Sequence, residues 1–414
     1  MPPEPISSQS TPSASRNIAL IPFSLDTPLF YAVVRLTATF SSDQSEDNLK
    51  MAVRYSYLSQ QFEDCPELWE ELKNFVKTGD FTLGKPLYEF EDNFASLIGT
   101  KFAIGVNSGT DAIKIALRAL GVGVGDEVIT AANTFVATVG AIAEIGAIPV
   151  FIDVDETFCM NVDLIEQAIT PKTKAIVPVH FTGYMTKMDK VIDLAKKYGL
   201  FVVEDACQSI LAEWKGKKAG TWGDAAAFSL HPLKNLNVWS DGGVIVTDNP
   251  DLDNKIRLLR NHGLISRDLV EILGYNSRLD TFQSIVANWL LPQALDISKK
   301  RILNAKKLDD VFKTIPQIKV PERTKDMRIV YHLYIVFAER RDELLEFCLN
   351  REIEAKVHYP IPIYKQKALG NEYNSMKFPV TDDQAQNIIS FPCDQHLNDS
   401  QLEEITNSVK EFYK

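Results

Sequence analysis

Seven short apolar runs, each closed by a turn and most followed by a helical stretch, dominate the chain between about Phe81 and Pro250. They read AIGV, DEVIT, PVFIDV, KAIVPVHF, LFVVEDA, AAAFSL and GGVIVT. The segments between them, such as DAIKIALRAL and KVIDLAKKYG, repeat apolar residues at helical spacing. A strand apolar along its whole length has no solvent face, so both sides must be covered. The alternation therefore predicts an α/β fold: a mostly parallel seven-stranded sheet covered by helices. After Arg301 the pattern changes to longer amphipathic helices with a few strands, such as YHLYIVFAE. Residues 51–300 are thus expected to form an N-terminal helix and a large α/β domain, and residues 301–414 a smaller α+β domain. Residues 1–50, rich in Ser, Thr and Pro, read as a poorly ordered extension, with Met51 an alternative start.

Composition narrows the functional classes. A net charge of −11 argues against a general nucleic-acid binder, which would show a basic face. The five cysteines, Cys65, Cys159, Cys207, Cys348 and Cys393, include no CxxC pair, so neither a zinc site nor a disulfide framework is suggested. A reducing, cytoplasmic compartment is expected. Apolar stretches fall short of the ~20 residues that span a bilayer, and no basic region followed by an apolar run opens the chain.

Three motifs carry chemistry. In AIGV-NSGTD-AIKIALRAL a strand, a turn of small residues and a helix follow one another. Ser108, Gly109 and Thr110 stand at the helix start, where unpaired N–H groups and the positive end of the dipole favour a phosphate; a plain N-cap is the alternative. The later GVGVGD follows a helix and precedes a strand, the wrong order for a dinucleotide fingerprint, so it is a turn. Asp205 ends the strand LFVVEDA, at the sheet edge where open α/β proteins bind ligands. A carboxylate there pairs with a protonated pyridine nitrogen, or simply caps the next turn. Gln208 lies three residues on. In AAAFSLHPLKNL, Ser229 ends a strand and Lys234 follows in a Pro-containing turn between Leu233 and Leu236. Partial burial lowers a lysine pKa and frees the amine to form an imine. Lys215, Lys217 and Lys218, in WKGKKAG, read as an exposed turn.

In this order on one sheet, the three motifs specify a phosphate cradle, a pyridinium partner and an imine lysine. The chain resembles the DegT/StrS-type sugar aminotransferases, a branch of the fold-type I pyridoxal 5'-phosphate (PLP) enzymes. The resemblance runs from Met51 to the C-terminus through FTLGKPLYEFEDNFASLIG, VNSGTDAIKIALRALGVGVGDEVITAANTFVAT, GAIPVFIDVD, ITPKTKAIVPVHFTG, VVEDACQS, FSLHPLKNL, DGGVIVT, LRNHG, YNSRLDTFQ and HYPIPIY. It implies that Lys234 carries PLP as an imine and shuttles the substrate proton. It further implies that Asp205 holds the pyridinium, that Gln208 reaches the phenolic oxygen, and that Phe135 stacks on the ring. Ser108, Gly109, Thr110 and Ser229 would bind the phosphate. Asn276, in YNSRLD, would reach the phosphate of a neighbouring subunit, which implies a homodimer with shared active sites. Thr82, His180, His358 and Tyr364 match positions on the substrate side, although each lone histidine equally reads as a core or surface residue. Trp239 in NVWSDGG, and Tyr364 where many relatives carry His, depart from the family pattern on that side.

The resemblance implies transfer of an amino group, with glutamate the expected donor, to a nucleotide-linked keto-sugar in polysaccharide or amino-sugar biosynthesis. A PLP-dependent sugar dehydratase of the same fold would carry histidine in place of Lys234. A non-catalytic PLP-binding regulator need not keep Asp205, Gln208 and Lys234 together. A Rossmann dehydrogenase lacks support, because no Gly-rich turn follows the first strand with an acidic ribose partner beyond it.

Overall fold

All seven predicted strands form, and they lie in one sheet. The computed structural model describes residues 51–414; the expectation of a poorly ordered extension over 1–50 falls outside them. The strands are β1 (Phe102–Val106), β2 (Glu127–Ala131), β3 (Ile148–Ile152), β4 (Thr173–Val177), β5 (Phe201–Asp205), β6 (Ala225–Ser229) and β7 (Gly243–Thr247). Their order across the sheet is β1-β7-β6-β5-β4-β2-β3. Every pairing from β6 to β3 is parallel. Only β7 runs the other way, inserted between β1 and β6.

Alternate residues of these strands enter two separate cores, which is why the strands are apolar throughout. Val128, Ala175, Val177, Val203, Ala227 and Ile245 face one core. Ile129, Ile176, Val202, Phe228, Val244 and Val246 face the other. Full burial of one such side chain contributes about 1.5–3 kcal/mol, so the cover on both faces is what keeps the sheet together.

Helices supply that cover. The first two are α1 (Pro66–Val76) and α2 (Lys85–Ile98), the latter stopped by Gly99 at φ +95. They are followed by α3 (Gly109–Ala119), α4 (Val136–Glu144), α5 (Met188–Tyr198), α6 (Pro250–Arg260) and α7 (Thr281–Leu290). Helix α3 places Ile113, Ala116 and Leu117, and α6 places Leu252 and Ile256, in the first core. Leu87, Phe90 and Phe94 of α2 enter the second, with Met188 and Val191 of α5. Glu91 of α2, buried, ties the layers together. It accepts from Gly105 N at 2.8 Å and from Arg257 at 2.7 Å, and also pairs with Arg260. Breaking such a buried pair from one side would strand a charge in the interior, at a cost of about 3–5 kcal/mol.

The long helix α8 (Ala294–Phe312) leads into the C-terminal part. There β8 (Ile318–Lys319), β9 (Tyr334–Ala338) and β10 (Ile388–Phe391) make an antiparallel sheet with β9 in the middle. Helices α9 (Arg341–Asn350) and α10 (Asp399–Phe412) accompany it, α10 opened by a capping box of Asn398 and Gln401. The division expected between residues 300 and 301 falls inside the continuous α8. Among the described residues no helix is long and apolar enough to cross a membrane.

Candidate active site

The parallel strands β1, β2, β4, β5 and β6 end on the same edge of the sheet, so the turns after them converge. Close contacts stitch these turns together. A Cβ on Gly109 would lie 2.8 Å from Ser229 Cβ and 2.9 Å from Cys207 Sγ, so the turn after β1 touches those after β5 and β6. Only glycine fits there. Antiparallel β7 starts at the same edge, where a Cβ on Gly243 would stand 2.2 Å from the Ser108 carbonyl oxygen. That approach requires Gly243, whereas a Cβ on Gly242 would meet Leu279 Cδ1 at 2.9 Å.

Asp205, 6% exposed, is held from both sides. The Thr138 hydroxyl donates to its Oδ2 at 2.7 Å, and the Cys207 N–H donates to its Oδ1 at 3.2 Å. Thr138 in turn shares a 2.7 Å hydrogen bond with Thr134, one turn away near the start of α4. The carboxylate is thereby fixed as an anion that meets a cationic partner in one orientation. Neither threonine was among the expected site residues. The Thr134–Thr138 spacing of four residues is visible in the chain, but their contact with Asp205 spans 67 positions and has no local signature.

Lys234 sits in a turn closed by four hydrogen bonds. Its own N–H donates to His231 O at 2.8 Å, and Asn237 Nδ2 donates to its carbonyl at 2.9 Å. Val238 N donates to Leu230 O at 2.9 Å, and Leu230 N to Gly242 O at 2.8 Å. The side chain is partly buried, and among the described residues its Nζ has no hydrogen-bond or ion-pair partner. Burial pushes the ammonium below the ordinary lysine range, against the attraction of Asp205. A lysine so placed readily yields an uncharged, nucleophilic amine. Cys207 faces the same space, where burial and the neighbouring Asp205 push its thiol up, so it is a neutral thiol rather than a nucleophile.

The turn also has a long-range support. Asn237 accepts from Gln61 Nε2 at 3.0 Å, and Gln61 accepts from Gln395 Nε2 at 2.9 Å. Gln395 accepts from Arg301 Nε at 2.9 Å, and Arg301 pairs with Asp394 at 3.2 Å. A file of side-chain amides thus joins the lysine turn to the first described helical turn, to α8 and to the segment before α10.

At the other end, Ser108 caps α3, its side chain accepting from Asp111 N at 3.1 Å. The capping alternative therefore holds for its hydroxyl oxygen. Among the described residues the N–H groups of Gly109 and Thr110 have no acceptor, as expected for the first turn of a helix. Ser229 Oγ accepts from His231 N at 3.3 Å. Gln208 is buried, its Oε1 taken by the Thr182 N–H at 2.7 Å. Phe135, half exposed, stands with its ring centroid 5.9 Å from that of Tyr359.

The expected substrate-side residues divide. His358 is partly buried next to this group, with Nδ1 2.9 Å from Ser390 Oγ. Burial, with Lys356 and Lys234 adding to it, lowers its pKa to about 3, so the ring is neutral. Thr82 is exposed on the loop before α2, and Asn276 is exposed beside its bridge to Asn261. His180 is corrected. It is fully buried, its Nε2 2.9 Å from Glu204 and its Nδ1 accepting from Thr186 N at 3.3 Å, which leaves no ring nitrogen for a substrate. Burial would raise the Glu204 carboxyl, but His180 and the N–H groups of Gly220 and Gly223 outweigh it and hold it below the usual carboxylate range. Tyr364 is corrected too: fully buried in a small core with Phe151 and Ala132, it gives its hydroxyl to Asp382. Sequence reasoning missed His332 and Tyr359, which the fold brings from the C-terminal part to Lys234 and Gln208.

Comparison with known proteins places the chain in a family. Residues 64–410 match the model of the DegT/DnrJ/EryC1/StrS aminotransferase family. The chain is 38% identical over 362 residues, 86% of it and 97% of the relative, to the "Pleiotropic regulatory protein" of Geobacillus stearothermophilus. It is 36% identical over 361 residues to the dTDP-3-amino-3,4,6-trideoxy-alpha-D-glucose transaminase of Streptomyces venezuelae, covering 85% of this chain and 95% of that one. The crystal structure of S. venezuelae DesV, in complex with a ketimine intermediate, superposes with a TM-score of 0.85 at 36% identity, over 87% of this chain and 98% of DesV. The chain belongs to the DegT/DnrJ/EryC1/StrS aminotransferase family.

Proposed function

We propose that this protein is a PLP-dependent aminotransferase that moves an amino group from an amino-acid donor, glutamate by preference, to a nucleotide-linked keto-sugar. One observation carries the reading: a partly buried lysine with no partner at Nζ lies near a buried, doubly hydrogen-bonded aspartate. The residues present fit the cofactor. Asp205, clamped by Thr138 and Cys207 N–H, would pair with the ring nitrogen. The N–H groups of Gly109 and Thr110, with the hydroxyls of Ser108 and Ser229, would bind the phosphate at the start of α3. Gln208, its carbonyl oxygen already engaged, would donate its amide N–H to the phenolic oxygen. Phe135 would cover one face of the ring.

Bound PLP supplies a ring that withdraws electrons from the carbon losing a proton, provided the ring nitrogen keeps its own. Asp205 enforces that condition. Lys234, with its depressed affinity for protons, removes the proton from the donor carbon and returns one to the sugar carbon. The turn around Leu230–Gly242 fixes its backbone, so the amine alone has to move. Thr82 and His358 would line the substrate side, and Asn276 would complete the phosphate site of a second subunit in a homodimer. All five cysteines are unpaired, which supports a reducing, cytoplasmic setting.

The test is chemical. Borohydride reduction of the PLP-loaded protein followed by peptide mapping should mark Lys234, and glutamate added before the borohydride should prevent that marking. Marking of another lysine, or of none, refutes the assignment.

A further inference from the structure

Four buried side-chain atoms lack a hydrogen-bond partner among the described residues: Tyr55 Oη, Thr182 Oγ1, Asn235 Oδ1 and His332 Nδ1. The last three belong to one backbone clasp. Val330 N donates to Gly183 O at 3.1 Å and Leu333 N donates to Thr182 O at 3.1 Å, joining the turn after β4 to the segment before β9. Asn235 reaches the same segment, its Nδ2 donating to Val330 O at 3.0 Å. The clasp is tight and unusual in its backbone. Thr182 and Tyr331 both adopt left-handed conformations, at φ +62 and +49, and a Cβ on Gly183 would meet Tyr331 N at 2.6 Å. Such conformations persist where surrounding structure over-determines them, and they gather at ligand sites. Thr182 is 1% and Asn235 6% exposed, so both present unmatched polar atoms from well inside the protein.

The position of the clasp relates it to the reaction. Asn235 follows Lys234 directly, and Thr182 N–H holds Gln208. On a PLP ring the phenolic oxygen and the aldehyde carbon occupy neighbouring positions. Resting on the reading above, Gln208 and Lys234 therefore mark the reacting edge, and the clasp borders it.

The unmatched atoms also define what they can bind. Asn235 has its amide nitrogen committed to Val330, so its orientation is set and Oδ1 requires a donor. A carboxylate or phosphate offers none. Thr182 both donates and accepts, and a neutral His332 does one or the other at Nδ1. Burial, with Lys234, Arg301 and His358 nearby, keeps that ring neutral. A group that donates and accepts at each oxygen satisfies all three, and a hexose carries several.

We propose that Thr182, Asn235 and His332 form the acceptor subsite, hydrogen-bonding the ring hydroxyls that flank the carbonyl carbon of the sugar. The amino-acid donor offers acceptors at its carboxylates and a single donor group at its amine, so it matches the trio only in part.

The test separates the sugar from its carrier. The holoprotein is titrated calorimetrically with dTDP, dTDP-glucose, UDP and UDP-glucose, none of which can be aminated. In the native protein at least one nucleotide sugar should bind about tenfold tighter than its nucleotide. Thr182→Val should shrink that ratio about fivefold, and His332→Gln should shrink it similarly. Thr182→Ser should restore it. Thermal melts identify a variant that fails to fold, and the other then carries the test. Equal ratios in the native protein and in the folded variants overturn the subsite. If no nucleotide sugar is preferred over its nucleotide while borohydride still marks Lys234, the subsite also falls and the cofactor assignment survives. Loss of the borohydride label removes the parent reading.

Discussion

Replacing Asp205 by Asn separates the role of its charge from the role of its shape. The side chains are nearly isosteric, and the Cys207 N–H at 3.2 Å can still donate to the amide oxygen. The Thr138 hydroxyl at 2.7 Å now faces an NH2 group, but it can turn and donate to Thr134, its other neighbour at 2.7 Å. Both bonds are kept but change from charge-assisted to neutral, a net loss to folding of about 1–2 kcal/mol. The loss to chemistry is larger. An anion and a ring cation about 4 Å apart attract by about 4 kcal/mol at an effective dielectric of about 20. If the transition state depends on that attraction and the resting cofactor does not, the donor half-reaction slows by about 10³-fold. Stopped-flow absorbance of the holoprotein mixed with glutamate measures the rate, and a thermal melt measures the stability. A variant that stays within tenfold of the native rate refutes the placement of Asp205 against the ring nitrogen. A variant that unfolds refutes the hydroxyl rearrangement.

Lys234→Ala should retain cofactor through the phosphate cradle but lose at least about 10²–10⁴-fold in turnover, the usual contribution of a positioned acid–base group, followed by 2-oxoglutarate release. Tyr364→Phe should lower stability by about 1.5–3 kcal/mol through its lost bond to the Asp382 carboxylate, with kcat and KM within twofold of native. A large rise in KM would return Tyr364 to the substrate side. His358, with a pKa of about 3 when folded, is protonated first in the unfolded chain, whose histidines titrate near ~6.5. Its contribution to stability is therefore complete above about pH 6.5 and declines as pH falls towards 3. Between pH 7 and pH 5 the melting temperature of the native protein should drop further than that of His358→Asn.

The sheet was legible because each strand is a closed apolar run, and burial on two faces leaves that mark whatever the partner strands are. The direction of β7 was not. GGVIVT reads like its neighbours, and only the approach of Gly243 to the Ser108 carbonyl shows why the chain returns there. Asp205, Gln208 and Lys234 could be singled out because Asp205 closes a strand and the other two lie three and five residues beyond a strand end. Thr138 and His332 could not, since their meaning lies in contacts with residues far along the chain. His180 was misplaced for the same reason. A histidine three residues after a strand looks available until its partner, Glu204, is seen 24 positions away in the interior. Tyr364 sits in a motif of the substrate side, yet its ring fills a core pocket against Phe378, centroids 4.8 Å apart.

The amide file from Asn237 through Gln61 and Gln395 to Arg301 acts like a keystone course beneath the reactive amine. Its stones come from opposite ends of the described chain. Shortening the protein past Gln61, or trimming it back to Gln395, would slacken the turn that carries Lys234 without altering a single residue of that turn. Laboratory forms with edited ends should therefore be judged by their kinetics as well as by their yield.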